Sequence, residues 1–180
     1  MKYSLKKYTT RTEKSFLSSI NCWIFYLHLF VGIGALFGGW AAWSNPQGPM
    51  GIPVDILKNS PFDSFLIPGI LLFCVIGLGN IFSALMMGFN SRYYGYISSV
   101  FGWALVVWIC TQCIMLRAVG FLHVLYFLIG IVQGKLAFLI LLHENLFPAN
   151  IVLTIMGKVE ERFPNNVVSR FIGKIKNLIA

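Results

Sequence analysis

Carboxylates are scarce in this chain and missing where chemistry inside a membrane would need them. Six Asp and Glu stand against fourteen Lys and Arg in 180 residues, and the apolar stretch from Ser64 to His143 holds none of the six. Proton- and sodium-coupled carriers generally rely on an intramembrane Asp or Glu, so this absence argues against secondary active transport. The three histidines, His28, His123 and His143, are scattered and form no metal-ligand cluster. No Walker sequence or dinucleotide fingerprint occurs, and no internal repeat suggests a duplicated transporter. Charge of either sign is also short, at 11% of residues against about 25% in a soluble domain. That is too little to cover a surface in water.

What fills the chain instead is apolar: 57% of residues are hydrophobic and mean hydropathy is +0.76. Crossing a hydrocarbon core of about 30 Å takes about 20 apolar residues in a helix, which satisfies its own backbone where no water can. Four such spans are expected, at about 21–43, 64–89, 97–116 and 119–142. The fold class is therefore all-α, a polytopic membrane protein whose four transmembrane helices form a bundle, with amphipathic interfacial helices at its C-terminal end. The first apolar stretch is too long for a cleaved signal peptide and reads as an anchor.

The net charge of +8 sits mainly at the two ends, which points to a membrane surface and not to nucleic acid. Lys2, Lys6, Lys7, Arg11 and Lys14 precede the first span, Arg92 lies between spans two and three, and Lys158, Arg162, Arg170, Lys174 and Lys176 follow the fourth. With four spans these share one side, leaving Lys58 and Arg117 on the other. The positive-inside rule then places both termini in the cytoplasm. Residues 1–20 form a basic cytoplasmic segment, 21–147 the transmembrane domain and 148–180 a basic amphipathic tail.

Two connections have distinct characters. Ser44–Asp63 contains Pro46, Pro49, Pro53 and Pro61 and so reads as a turn-rich loop. Spans three and four are joined by almost nothing and are expected as a tight antiparallel hairpin. In the tail, Val167, Val168, Phe171, Ile172, Ile175, Leu178 and Ile179 fall on one helical arc opposite Arg170, Lys174 and Lys176. Asn165 or Asn166 is the N-cap candidate, and 151–163 is similarly two-faced. Such helices suit an anionic inner leaflet, with Arg170, Lys174 and Lys176 touching headgroups; packing against the spans or a partner is the alternative.

Polar side chains inside the spans are costly and each needs an account. His28, Asn80, Gln133 and Lys135 fall at similar inner-half depths and are candidates for one pocket or for contact with a ligand or partner. The alternative is that His28 and Asn80 make helix–helix hydrogen bonds. For Lys135 four outcomes stay open: it snorkels to the inner headgroups, holds a lipid phosphate or other anion, meets a partner's carboxylate, or marks the end of the span near Gly134. Glycines crowd spans one and two, at Gly32, Gly34, Gly38, Gly39, Gly77, Gly79 and Gly88, and read as close helix packing. Trp40, Trp43, Tyr93, Tyr94 and Tyr96 are expected to anchor the two borders.

Two resemblances bear on function. The Ser60-Pro61-Phe62 entry, Leu66-Ile67-Pro68-Gly69, Gly77 to Asn80, and Tyr126-Phe127 before Gly130 resemble segments of a family of small uncharacterised bacterial four-span membrane proteins, over about a third of the chain. That resemblance implies a four-helix architecture in a bacterial cytoplasmic membrane and no activity. Cys110-Thr111-Gln112-Cys113, near the outer end of span three, is similar in outline to the C-x-x-C of quinone-reducing disulfide-forming proteins and vitamin K epoxide reductases. Those enzymes relay electrons through a second cysteine pair in an outer loop, and Ser44–Asp63 has no cysteine. The pair also sits near a helix C-terminus, where the dipole disfavours a thiolate.

The expectation is a non-enzymatic membrane protein without metal or cofactor, a homo-oligomer or an accessory subunit, in contact with the bilayer and its anionic inner-leaflet lipids. A thiol-disulfide oxidoreductase using Cys110 and Cys113 with a quinone is the alternative. A pore or carrier for a small or anionic solute is a second one.

Overall fold

The computed structural model describes residues 11–89, 91–144, 146–162, 170, 172 and 173. Those residues are all-helical, with no strand among them. Helix α1 spans Arg11–Ser44 and ends where Asn45 meets Pro46, because the residue before a proline is driven out of the helical region. Span two comprises α2 (Leu66–Leu71), a π-helical stretch (Leu72–Leu78) and α3 (Gly79–Gly88). Helices α4 (Tyr94–Leu116), α5 (Phe121–His143) and α6 (Ala149–Arg162) follow. Four segments are long and apolar enough to cross a membrane, Ser18–Ser44, Leu66–Gly88, Tyr94–Leu116 and Phe121–His143. Each lies within a few residues of its expected place. The π stretch was not expected, since span two reads as one continuous apolar helix.

The chain divides into two compact units, Trp23–Ala137 and a second made of Met1–Cys22 with Phe138–Ala180. In the first, the helices pack as a closed ring in chain order, and glycine makes each contact tight. A Cβ placed on Gly39 of α1 would stand 2.7 Å from Phe73 N and 2.8 Å from Gly69 O of span two. Gly79 faces the Phe101 ring of α4, Gly102 of α4 faces Gln133 and Gly134 of α5, and Gly34 of α1 faces the Tyr126 hydroxyl of α5. Phe30 stacks on that same Tyr126 ring at 5.9 Å. Lipid offers no hydrophobic drive to bring helices together, so small residues that let backbones approach supply packing instead. A Cβ on Gly38 or Gly88 would meet nothing closer than 3.4 Å, so these two are not among the tightly packed glycines. Val31, Ala35, Ile76, Leu105 and Ile109 form the apolar core.

The Ser44–Asp63 loop has its own local structure. Two 3₁₀ turns, Pro49–Gly51 and Val54–Leu57, bury Leu57, and Phe65 N donates to Pro46 O at 2.9 Å, closing the loop's ends on each other. Between α4 and α5 only four residues intervene. Arg117 takes the left-handed conformation (φ 47°) that stops α4, and Gly120 N donates to His123 Nδ1 at 3.0 Å. The expected tight hairpin is present.

In the second unit Ile20, Ile140, Leu141, Leu142 and Ile172 are buried, while α6 leaves Ile151, Val152 and Ile155 exposed. Lys174, Lys176, the N-cap candidates Asn165 and Asn166, and most of the amphipathic arc beyond them lie outside the described residues.

Candidate functional site

Three of the four polar side chains singled out above meet in the bundle interior, joined by a serine. His28 (α1), Asn80 (α3), Ser98 (α4) and Gln133 (α5) are each fully buried, one from every span. His28 Nδ1 lies 2.7 Å from Asn80 Oδ1, and His28 Nε2 lies 2.5 Å from Ser98 Oγ. Gln133 Nε2 is 3.1 Å from His28 Nδ1 and donates to Asn80 Oδ1 at 3.3 Å. Asn80 Nδ2 in turn donates to Ile76 O at 2.8 Å, a carbonyl of the π stretch.

The partners assign the protons. Because Asn80 spends its amide N–H on a carbonyl, its Oδ1 must be the atom facing His28. A carbonyl oxygen only accepts, so His28 Nδ1 carries hydrogen and donates. Neutral imidazole then presents Nε2 as an acceptor, and the Ser98 hydroxyl donates to it. Gln133 contributes its amide N–H to the same Asn80 oxygen, and its own Oε1 is buried with no partner. Asn80 is thus the hub of the cluster, and Gln133 is its weakest member.

The order Ser–His–Asn matches the hydrogen-bond order of an acyl-transfer triad. Recognition of such a site rests on geometry and roles, and it further requires a place about 3 Å from both the nucleophile and oxyanion donors where a reacting atom can sit. Ser98, His28 and Asn80 are all enclosed, and the Gln133 amide sits on the Nδ1 side of the ring, away from Ser98. What the contacts do show is a knot of hydrogen bonds that links four helices.

Ser98 is the member sequence reasoning missed. A helical serine usually bonds back to its own helix, as Ser83 does to Gly79 O at 3.0 Å, and no pattern distinguishes the serine that does not. Lys135 is the candidate that does not join. It is exposed on the bundle surface, because residues two apart on a helix point to different sides and Gln133 takes the inward position.

The cysteine pair divides similarly. Cys110 is exposed and Cys113 is half-buried against the apolar core, both as free thiols. Thr111 between them bonds back to Val107 O at 2.9 Å. Arg170 is exposed. Among the described residues no three His, Cys, Asp or Glu side chains come together as a metal site would require.

Fold and site together define an all-helical multi-pass membrane protein whose four spans share one buried polar cluster. Comparison with family models, curated proteins and solved structures finds no match.

Proposed function

We propose that the chain is a non-enzymatic integral subunit of the bacterial cytoplasmic membrane, acting as a homo-oligomer or as an accessory to another membrane protein, with both termini cytoplasmic. One observation carries this reading: His28, Asn80, Ser98 and Gln133, buried one from each span, bond to one another across the four helices, which suits polar groups that hold helices together. What the bundle offers outward is helix face. On α1 the exposed face runs Trp23, Tyr26, Phe30, Ile33, Phe37 and Trp40, at alternating spacings of three and four that suit either acyl chains or a neighbouring helix. The basic residues before span one and at Arg92 support the orientation.

The test is a mass measurement in discs cut directly from native membrane. The expected protein mass is a multiple of the 20.3 kDa chain, or that chain with a second protein in fixed ratio. A lone monomer in native lipid would contradict the proposal.

The oxidoreductase reading keeps one supporting feature, the i, i+3 thiols on the last turns of α4 with Cys110 exposed. Thiol counting with a mass-shifting maleimide decides it. Four reactive thiols are expected with and without reductant. Two that appear only after reduction, and not in Cys110→Ser, would put quinone-linked redox chemistry first. A solute pathway around Lys135 would run between copies of the chain, because that lysine is exposed on the outside of the bundle.

A further inference from the structure

The exposed lysine on α5 has a definable depth. Trp23 and Trp43 are both exposed on α1, and twenty residues at 1.5 Å each separate them by about 30 Å, the thickness of a hydrocarbon core. Tryptophans prefer the two interfaces, so this pair marks the borders. His28 lies five residues, about 8 Å, inside the Trp23 border. Helix α5 runs antiparallel to α1, since Gly34 meets Tyr126 and His28 meets Gln133. Lys135, two residues beyond Gln133, therefore lies about 3 Å closer to the Trp23 border. Its backbone stands about 5 Å inside that border, within reach of a four-carbon stem.

We propose that Lys135 binds the headgroup phosphate of an anionic phospholipid whose acyl chain lies along the exposed stripe of Val132, Leu128 and Val124. Those residues follow Lys135 at helical spacing on the same face, away from the border and toward the bilayer centre. The Trp103 ring rests on Gly134 beside the lysine and is half-exposed, widening the apolar surface next to the charge. Arg92, exposed before α4 at the same end of the bundle, adds positive potential. A second copy of the chain is a poor occupant, because no Asp or Glu lies between Asp63 and Glu144 and two copies would oppose lysine to lysine. A foreign helix would need a carboxylate at matching depth, whereas phosphate is present all along the border that Lys135 can reach.

The test is native mass spectrometry of the detergent-purified chain titrated with phosphatidylglycerol or with phosphatidylcholine. Wild type is expected to retain phosphatidylglycerol in preference to phosphatidylcholine. Lys135→Met is expected to lose about one bound phosphatidylglycerol per chain, a five- to tenfold drop in occupancy of the tightest site, while Lys135→Arg retains it. Methionine keeps the exposed position apolar, so the fold is not at risk, and helical circular dichroism checks this. Unchanged phosphatidylglycerol retention in Lys135→Met would overturn the proposal, as would equal retention of the two lipids. A co-purified protein lost in Lys135→Met, with lipid retention unaltered, would overturn it in favour of a partner carboxylate. None of these outcomes depends on whether the chain assembles with itself.

Discussion

Gly39→Ala is expected to lower the unfolding midpoint of the bundle sharply, while Gly38→Ala, one residue away, is expected to be nearly silent. The Cβ of any residue at 39 meets Phe73 N, Phe73 Cβ and Gly69 O within 2.8 Å. Two of those are backbone atoms of span two, so no rotamer change relieves the overlap and the helices must move apart. Overpacking a core typically costs 1–3 kcal/mol; with backbone as the obstacle the expected cost is at the top of that range, about 3 kcal/mol. At Gly38 the nearest atom is Leu72 Cδ2 at 3.4 Å, an ordinary contact with the movable end of a side chain. A cost below about 1 kcal/mol is expected there. Titration with SDS in mixed micelles, followed by circular dichroism and by tryptophan fluorescence, measures both. Equal destabilisation of the two variants would mean that α1 and span two do not approach as closely as described.

The same contact shows what hydropathy can and cannot say. Four apolar runs of sufficient length make four helices almost unavoidable in lipid, because only a helix satisfies its backbone there. That is why the observed spans fall close to the expected ones. Helix rotation is different: it depends on which small residues face a neighbour, and Gly38 and Gly39 are indistinguishable by composition. Likewise His28, Asn80 and Gln133 were legible as a group because each is expensive in an apolar run, whereas Ser98 is cheap anywhere on a helix and left no trace. Position along the span alone groups Lys135 with Gln133. Two residues of helical rotation separate an interior amide from a cation on the outside of the bundle. The π stretch escaped notice for a related reason, since nothing in a run of Leu, Phe, Val and Ile announces that its hydrogen bonds will skip a residue.

Asn80→Leu carries the other large effect, and its size follows from how many partners one side chain serves. Removing the amide leaves the His28 Nδ1 hydrogen and the Gln133 N–H without their shared acceptor, and it releases Ile76 O. A buried donor left unsatisfied costs about 1–3 kcal/mol, yet interhelical hydrogen bonds in membranes average about 0.6 kcal/mol and reach about 1.7, because the unfolded helices find other partners. A loss of about 2–3 kcal/mol for Asn80→Leu sits between those bounds. Gln133→Met should cost under about 1 kcal/mol, since it gives up one long bond and also removes an oxygen that has no partner. The double variant His28→Leu/Asn80→Leu should then be less destabilised than the sum of its parts, by about 1 kcal/mol, because the first change already abolishes what the second would break. Strict additivity in the same SDS titration would dismantle the knot as a unit. If Gln133→Met proved as costly as Asn80→Leu, the hub would be misassigned, and the proton order that makes Ser98 a donor to His28 would have to be redrawn with it.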